Sequence, residues 1–195
     1  MKNGNTGEEW WKKAGQRKGS YYSRLYRNLR FNIREPILEI GGGAGTFLKY
    51  NGIEKATIID LAGKESLAGN YDFIKGDITK RLPSLKKKFE TIFVMEVLEH
   101  IKNPLYLMSQ VYDLLEDDGI CYISVPYTKL DINRSGEKNP LNCHVCRWKI
   151  EEIVDQMSKL GFNVRVVQKR RRFKDTAFYL PHCWLVLRLT KRLKH

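Results

Sequence analysis

The sequence predicts an α/β fold, in which a doubly wound, mostly parallel sheet carries helices on both faces. Short apolar runs recur at steady intervals, at residues 37–40, 56–60, 71–75, 91–95 and 120–125. Helical patterns separate several of these runs, and strands that alternate with helices favour a parallel sheet. A glycine-rich stretch follows the first run directly, which is typical of a strand-to-helix turn that a ligand approaches closely.

The helices are predicted from apolar spacing and from their end residues. An amphipathic pattern within residues 8–33 predicts an N-terminal helix. Residues 104–116 form a second helical pattern, which follows Asn103 as an N-cap. A third pattern covers residues 148–160 and ends at a glycine. Two further strand candidates close the chain, at residues 162–168 and 183–190.

Length and composition bound the class of protein. The 195 residues suffice for one domain with a full core, and 42% of them are hydrophobic, as in an ordinary globular protein. No apolar stretch reaches the roughly 18 residues of a transmembrane helix, and the N-terminus lacks the apolar part of a signal peptide. We therefore expect a cytoplasmic protein whose four cysteines stay reduced.

The net charge of +13 is concentrated at the two ends of the chain. Residues 1–35 carry +6 and residues 165–195 carry +9, so the middle is close to neutral. Basic ends favour an anionic partner, such as nucleic acid, a phosphorylated substrate or an acidic membrane surface. A merely solubilising surface explains the same charge equally well, and the sequence leaves the two interpretations open.

The glycine-rich stretch belongs to "ILEIGGGAGTFL", residues 37–48. Glu39 precedes the glycines on the strand, and Asp60 lies 19 residues after Gly41, where a ribose hydroxyl would require a carboxylate. A dinucleotide fold would place a glycine at position 46, which is Thr46 here, so a dehydrogenase is disfavoured. No Gly-Lys-Ser/Thr follows the turn, so there is no P-loop.

"ILEIGGGAG" resembles the first motif of class I S-adenosylmethionine-dependent methyltransferases. Further motifs of that family are matched in order by "IIDLAG", "FIKGDI", "FETIFVMEVLEHIKNP", "LLEDDGICYISVPY" and "HVCRWKIEEIVDQMSKLGFNV". The resemblance covers roughly residues 36–167. It implies a Rossmann-like sheet of seven strands with an antiparallel last strand, and S-adenosylmethionine as the cofactor. The single domain 1–195 would then consist of an N-terminal helical cap (1–35), a cofactor-binding core (36–167) and a basic C-terminal strand region (168–195).

The resemblance also implies a set of cofactor residues. Glu39 would accept from the ammonium group, Asp60 from the ribose hydroxyls and Asp77 from the adenine amino group. The full set is Glu39, Gly41, Gly42, Gly43, Gly45, Asp60, Leu61, Asp77, Ile78, Met95 and Glu96. Each acid has a structural alternative, as a helix cap or a surface ion pair. Only about a dozen residues separate Asp60 from the third strand, so we expect a short or missing second crossover helix.

The chemistry of transfer is predicted for "MEVLEHIKNP" and for the loop after the fifth strand. Glu96, Glu99 and His100 have the spacing i, i+3 and i+4, which would place them on one side of a helical turn. The predicted catalytic residues are His100, His144 and Glu96. Glu-x-x-Glu-His resembles two branches of the family that use a metal, the ubiquinone-pathway O-methyltransferases and the small-RNA 2′-O-methyltransferases. A magnesium or manganese ion would then be held by Glu96, Glu99, His100 and His144.

Two alternatives to this metal site stay open. Either histidine could act without a metal as a base or a substrate ligand, or simply cap a turn. Cys143 and Cys146 have zinc-ligand spacing, with His182 and Cys183 to complete four ligands. A second Cys-x-x-Cys is missing and Cys183 begins an apolar run, so zinc is the weaker interpretation.

The function indicated by these motifs is O-methylation of a small-molecule, sugar or lipid-linked acceptor that bears a hydroxyl group. An RNA 2′-O-methyltransferase is the alternative within the class, because of the charge and the Glu-x-x-Glu-His spacing. A non-catalytic, S-adenosylmethionine-binding regulatory protein is the alternative from outside it. Neither the acceptor nor the oligomeric state follows from the sequence.

Overall fold

The computed structural model describes residues 29–61, 69–127, 148–171 and 183–192. Within them lies a seven-stranded sheet of order β3-β2-β1-β4-β5-β7-β6. Its strands are β1 (Ile37–Ile40), β2 (Thr57–Asp60), β3 (Asp72–Lys75), β4 (Phe89–Met95), β5 (Leu115–Tyr127), β6 (Phe162–Arg171) and β7 (Cys183–Lys191). Strands β1 to β5 pair in parallel, and β7 runs antiparallel to both of its neighbours. The predicted fold class is therefore confirmed, including the antiparallel last strand.

Three α-helices and one 3-10 helix cover the described part of the sheet. They are α1 (Thr46–Tyr50), the 3-10 helix (Leu98–His100), α2 (Pro104–Leu114) and α3 (Ile150–Lys159). The Asn103 side chain accepts from the Tyr106 N–H at 3.3 Å, so the predicted N-cap of α2 is confirmed. None of the helices in the described ranges is long and apolar enough to cross a membrane.

The predicted ends of α2 and α3 need small corrections. Helix α2 ends at Leu114 rather than at residue 116, because Leu115 already has extended dihedrals and begins β5. Strand β5 is accordingly longer than the predicted 120–125, and a register shift against β4 accommodates the extra residues. Helix α3 begins at Ile150 rather than at residue 148.

The N-terminal helix is wrong in the part that the structure describes. Residues 29–34 lie in no helix. Leu29, Phe31 and Ile33 pack against the sheet while Arg30 and Asn32 are exposed, so burial alternates with a period of two, as in an extended segment. The Phe31 ring meets the rings of Phe47, Phe93 and Tyr122 edge to face. The rest of that predicted helix lies outside the described residues.

The core lies on both faces of the sheet, and strand β1 runs between the two halves. One half packs α2 and α3 against the sheet and includes Leu38 and Ile40. The other half packs α1 and the segment 29–33 against the opposite face and includes Ile37. All four residues of β1 are buried, as in a central strand of a parallel sheet. Because β1 is held within the core, the turn that follows Ile40 lies at a fixed position on the carboxyl edge of the sheet.

Candidate functional site

The glycine turn leaves the carboxyl end of β1 and leads into α1. Gly41, Gly43 and Gly45 have φ values of +72°, +52° and +72°, a left-handed conformation that favours glycine. A Cβ built on Gly41 would lie 2.5 Å from Val97 Cγ2. A Cβ on Gly42 would lie 2.7 Å from Glu39 Cγ and closer still to its carboxylate. The turn is therefore a bare backbone cradle that only glycine can form.

The Glu39 carboxylate lies beneath this cradle. Only 2% of Glu39 is exposed, and its Oε2 has no hydrogen-bond partner among the described residues. Burial raises the pKa of Glu39 well above its usual range, and the charge of Asp60 raises it further. A buried carboxylate oxygen without a donor is costly, so this position fits a ligand that brings a cationic or hydrogen-donating group.

Asp60 ties the second strand to the glycine turn. Its Oδ2 accepts from the Gly43 N–H at 2.8 Å, so the carboxylate at the end of β2 lies directly beside the turn. The next residue, Leu61, is a large apolar side chain that is 59% exposed. An acid that contacts the turn and an exposed apolar side chain beside it can together bind a ligand with a polar and an apolar part.

Asp77 and Ile78 follow the end of β3, and the structure separates their roles. Asp77 Oδ1 accepts from the Thr79 N–H at 3.0 Å and from the Thr79 hydroxyl at 2.6 Å. These bonds, together with Lys80 Nζ at 3.3 Å from Oδ2, lower the pKa of Asp77. The carboxylate thus stabilises its own turn, which is the structural alternative for this acid. The Ile78 side chain, in contrast, reaches the glycine turn, 3.2 Å from a Cβ built on Gly41.

Glu96 leaves the carboxyl end of β4 in an unusual conformation. With a φ of +58°, Glu96 is the one non-glycine residue that has a left-handed backbone in the described part of the chain. The Ser124 hydroxyl, on the neighbouring strand β5, donates to Glu96 Oε1 at 2.6 Å and accepts from the Glu96 N–H at 2.9 Å. Strained backbone that surrounding contacts hold in place is concentrated at functional sites. Met95, the last residue of β4, is buried beside it.

Glu99 and His100 lie on the 3-10 helix that follows Glu96. Glu99 is 1% exposed, whereas 42% of the His100 side chain is exposed. His100 Nε2 lies 3.8 Å from Glu99 Oε1. Burial, and then the charge of Glu96, raise the pKa of Glu99 well above its usual range. The pair combines a buried carboxyl group with an imidazole that a substrate can reach.

The predicted single face for Glu96, Glu99 and His100 does not form, because an α-helix does not. The short 3-10 helix has about three residues per turn, and Glu96 precedes it with left-handed backbone. Over the described ranges, no three His, Cys, Asp or Glu side chains are arranged to hold a metal ion. His144 lies outside the described residues, as do Cys143, Cys146 and His182.

Sequence reasoning missed Ser124, near the carboxyl end of β5, and Tyr71, which directly precedes β3 and whose ring packs against Gly45 of the turn. Tyr71 is buried, its hydroxyl donates to the Ile53 carbonyl at 2.9 Å, and its ring lies 2.6 Å from a Cβ built on Gly45. Ser124 is fully buried at the carboxyl end of β5. A polar residue within the apolar run "CYISV" was the one local signal for Ser124, and Tyr71 had none.

Comparison with known proteins indicates the family to which the chain belongs. A family model described as a methyltransferase domain matches residues 11–167. The chain is 26% identical over 140 residues to a ubiquinone biosynthesis O-methyltransferase of Glaesserella parasuis serovar 5 (strain SH0165), which covers 59% of this chain and 58% of that protein. It is 30% identical over 98 residues to N-methyltransferase 4 of Papaver somniferum, which covers 43% of this chain and 28% of that protein. The chain thus spans between 28% and 58% of the length of these two relatives.

A solved structure from Thermotoga maritima shares the fold. That protein is described as a SAM-dependent methyltransferase, possible histamine N-methyltransferase, and superposes with a TM-score of 0.66 at 19% identity over 95% of each chain. The family match spans most of the chain, and the seven-stranded sheet agrees with the fold of that solved structure. The chain therefore belongs to the family of class I S-adenosylmethionine-dependent methyltransferases.

Proposed function

We propose that this protein transfers a methyl group from S-adenosylmethionine to a hydroxyl group of a small-molecule, sugar or lipid-linked acceptor. The observation that carries the proposal is the pair formed by the exposed His100 imidazole and the buried Glu99 carboxyl group, 3.8 Å apart. A hydroxyl acceptor must lose its proton as it is methylated, and a histidine within reach is the usual base. The pair lies at the carboxyl edge of the sheet, where ligands bind in folds of this kind.

The glycine turn supports binding of the cofactor. Among the described residues Glu39 Oε2 is buried without a hydrogen-bond partner, which an ammonium group would supply, and it lies beside a turn of bare glycine backbone. When it is bound, the cofactor supplies an electrophilic methyl group on a sulfonium. Beside Glu39 and the glycines, the residues proposed to hold it are Asp60, Leu61, Asp77, Ile78, Met95 and Glu96.

We propose that His100 is the base that removes the proton of the acceptor hydroxyl. The His100 imidazole accepts this proton, and Glu99 Oε1 lies 3.8 Å from its Nε2. His144 is proposed as a second residue that contacts the acceptor. A magnesium or manganese ion is not needed for these steps, and the described side chains of Glu96, Glu99 and His100 do not converge as a ligand set.

A second candidate function is methylation of an RNA 2′-hydroxyl. It is favoured by the charge of +9 carried by residues 165–195 and by Arg165, which is exposed on the edge strand β6. Arginines along an exposed strand suit phosphate contacts. The same site chemistry would serve this acceptor, since it too is a hydroxyl group.

The test combines binding with transfer. Calorimetry with S-adenosylhomocysteine is compared for the wild-type protein, His100→Ala and, as a matched exposed control on the next turn, Lys102→Ala. Transfer from labelled S-adenosylmethionine is then measured on panels of hydroxyl-bearing small molecules and on short RNA. The proposal predicts binding by all three proteins and transfer that is lost in His100→Ala alone. Binding without transfer to any acceptor would support a non-catalytic regulatory protein instead.

Salt separates the two acceptor classes. Acceptor binding that falls steeply with rising salt would indicate RNA, because phosphate contacts release counterions. Acceptor binding that changes little with salt would indicate a small, weakly charged acceptor.

A further inference from the structure

We propose that Ser124 is a positioning residue of the cofactor site, which acts by fixing both the backbone and the carboxylate of Glu96. The inference rests on the proposed function, since it assigns a part of that same site. Glu96 has a φ of +58°, a left-handed conformation that a glutamate adopts when the surrounding contacts stabilise it.

The Ser124 hydroxyl supplies these contacts. A hydroxyl has one donor and two acceptor positions. Here the donor is directed to Glu96 Oε1 at 2.6 Å, and an acceptor position receives the Glu96 N–H at 2.9 Å. The Ser124 carbonyl also lies 3.2 Å from the same N–H. The Ser124 side chain thus hydrogen-bonds both the main chain and the side chain of Glu96, which directly follows the adjacent strand.

The two residues are held firmly, because Ser124 belongs to β5 and Glu96 directly follows the last residue of β4. Ser124 is fully buried, and it pairs in register with Met95, the residue before Glu96. A short hydrogen bond to a carboxylate in a buried place is among the stronger kinds. Rotation of the Glu96 side chain would therefore leave the Ser124 hydroxyl without its acceptor inside the core.

The held segment faces the cofactor cradle. Val97, the next residue, approaches Gly41 so closely that a Cβ there would lie 2.5 Å from Val97 Cγ2. Any change in the backbone of Glu96 is passed to Val97 and so to the wall of the glycine turn. Ser124 therefore acts on the turn through Glu96 and Val97, and its role is to position.

A matched control exists at the opposite edge of the sheet. The Thr91 hydroxyl is also fully buried, accepts from the Arg34 N–H at 2.8 Å and donates to the Arg34 carbonyl at 2.8 Å. The Thr91 hydroxyl donates one hydrogen bond and accepts one, and it lies towards the amino end of β4, away from the cradle. Loss of either hydroxyl should lower the free energy of unfolding to a similar degree. Only loss of the Ser124 hydroxyl should weaken binding of the cofactor.

The experiment measures the Kd of S-adenosylhomocysteine and the thermal midpoint for the full chain and for Ser124→Ala, Ser124→Thr and Thr91→Val. Ser124→Ala should weaken binding about tenfold, the usual effect of one lost hydrogen bond to a charged group. Ser124→Thr keeps the hydroxyl and should restore most of the affinity. Thr91→Val should lower the midpoint and leave the Kd unchanged.

A double-mutant cycle with Glu96→Ala tests the route of the effect. If Ser124 acts through Glu96, Ser124→Ala should change the Kd by less than about twofold in the Glu96→Ala background. Should Ser124→Ala fail to fold, Ser124→Cys takes its place, because a thiol fills the same space and donates only weakly.

A lowered midpoint with an unchanged Kd in Ser124→Ala would overturn the inference, since the hydroxyl would then be merely structural. So would a tenfold loss of affinity that persists in the Glu96→Ala background. If the wild-type protein itself does not bind S-adenosylhomocysteine, the proposed function fails, and this inference fails with it. Binding by the wild type and equally by Ser124→Ala defeats the inference alone.

Discussion

The two edges of the sheet treat charge in opposite ways. At the amino edge, opposite charges meet: the Arg34 guanidinium lies 3.0 Å from Glu90 and 2.9 Å from Asp118, and Lys191 lies 3.1 Å from Asp117. At the carboxyl edge, like charges meet, because Asp60 raises the pKa of Glu39 and Glu96 raises that of Glu99.

This difference indicates what each edge is for. Paired charges at the amino edge fasten the segment before β1 to the sheet and contribute to stability. Buried carboxylates beside one another lower the stability of a protein that has no ligand, and clusters of such groups mark functional sites. The proposed cofactor, which carries positive charge and hydrogen-bond donors, suits the carboxyl edge, and variants at one edge at a time separate the two roles.

The largest effect is expected for Gly42→Ala at the carboxyl edge. The new Cβ would collide with the Glu39 carboxylate, so we expect a loss of about 2–3 kcal/mol in the free energy of unfolding, the usual effect of overpacking. Gly52→Ala is the control: no atom lies within 4 Å of its Cβ, and its φ of +68° alone should cost about 1 kcal/mol. Denaturant unfolding measures both, and equal losses would show that Gly42 is not confined by Glu39.

Next in size is the effect of Glu39→Gln on cofactor affinity. The amide keeps the volume and removes the charge, so S-adenosylhomocysteine should bind roughly 30-fold more weakly, as expected for a lost charged hydrogen bond. The free energy of unfolding at neutral pH should not fall, because a buried charge is removed. Glu90→Gln at the amino edge should leave the Kd unchanged, and a similar loss of affinity in both variants would show that the two edges do not differ.

The pH dependence of the free energy of unfolding should also reflect the raised pKa of Glu39. Its pKa is raised in the folded protein above the ordinary value of 4.5, so the folded state holds the proton more tightly than the unfolded chain. Stability from this group is therefore greatest in acid and declines as the pH rises towards the folded pKa. The stability of Glu39→Gln relative to wild type should increase by about 1 kcal/mol or more between about pH 5 and about pH 8. A difference that does not vary with pH would contradict the burial of an ionisable Glu39.

The smallest effect is expected for Thr91→Val, which breaks the two bonds between Thr91 and the Arg34 backbone. The free energy of unfolding should fall by about 1–2 kcal/mol, because buried backbone groups lose their partners. Cofactor affinity should not change. Weaker binding of S-adenosylhomocysteine by this variant would mean that the amino edge also supports the site.

The fold could be predicted from the sequence because local and global signals agree in the sheet. Strand β1 was located at residues 37–40 because an apolar run ends sharply in glycines. The N-terminal helix was wrong over residues 29–34, where arginines and apolar residues fit both a helical and an alternating pattern. Contact of Phe31 with the rings of Phe47 and Phe93 decides between the two, and that contact is not visible in the sequence.

The site was predictable only where its residues follow strand ends. The glycine turn, Glu39 and Asp60 come together as expected, because parallel strands end at one edge. The bonds of Asp77 to Thr79, and the burial of Glu99 beside an exposed His100, depend on turn geometry that residue spacing does not fix. Ser124 acts across two strands that lie 28 residues apart in the chain, so no local motif could show it.

We propose that the carboxyl edge binds the cofactor and that the buried Glu39 carboxylate contacts it. Calorimetric titration of S-adenosylhomocysteine into the wild-type protein, Glu39→Gln and Glu90→Gln tests it most directly. The account predicts binding by the wild type and by Glu90→Gln with the same Kd, and binding roughly 30-fold weaker by Glu39→Gln. Folded wild-type protein that does not bind, or Glu39→Gln that binds as tightly as the wild type, would contradict it.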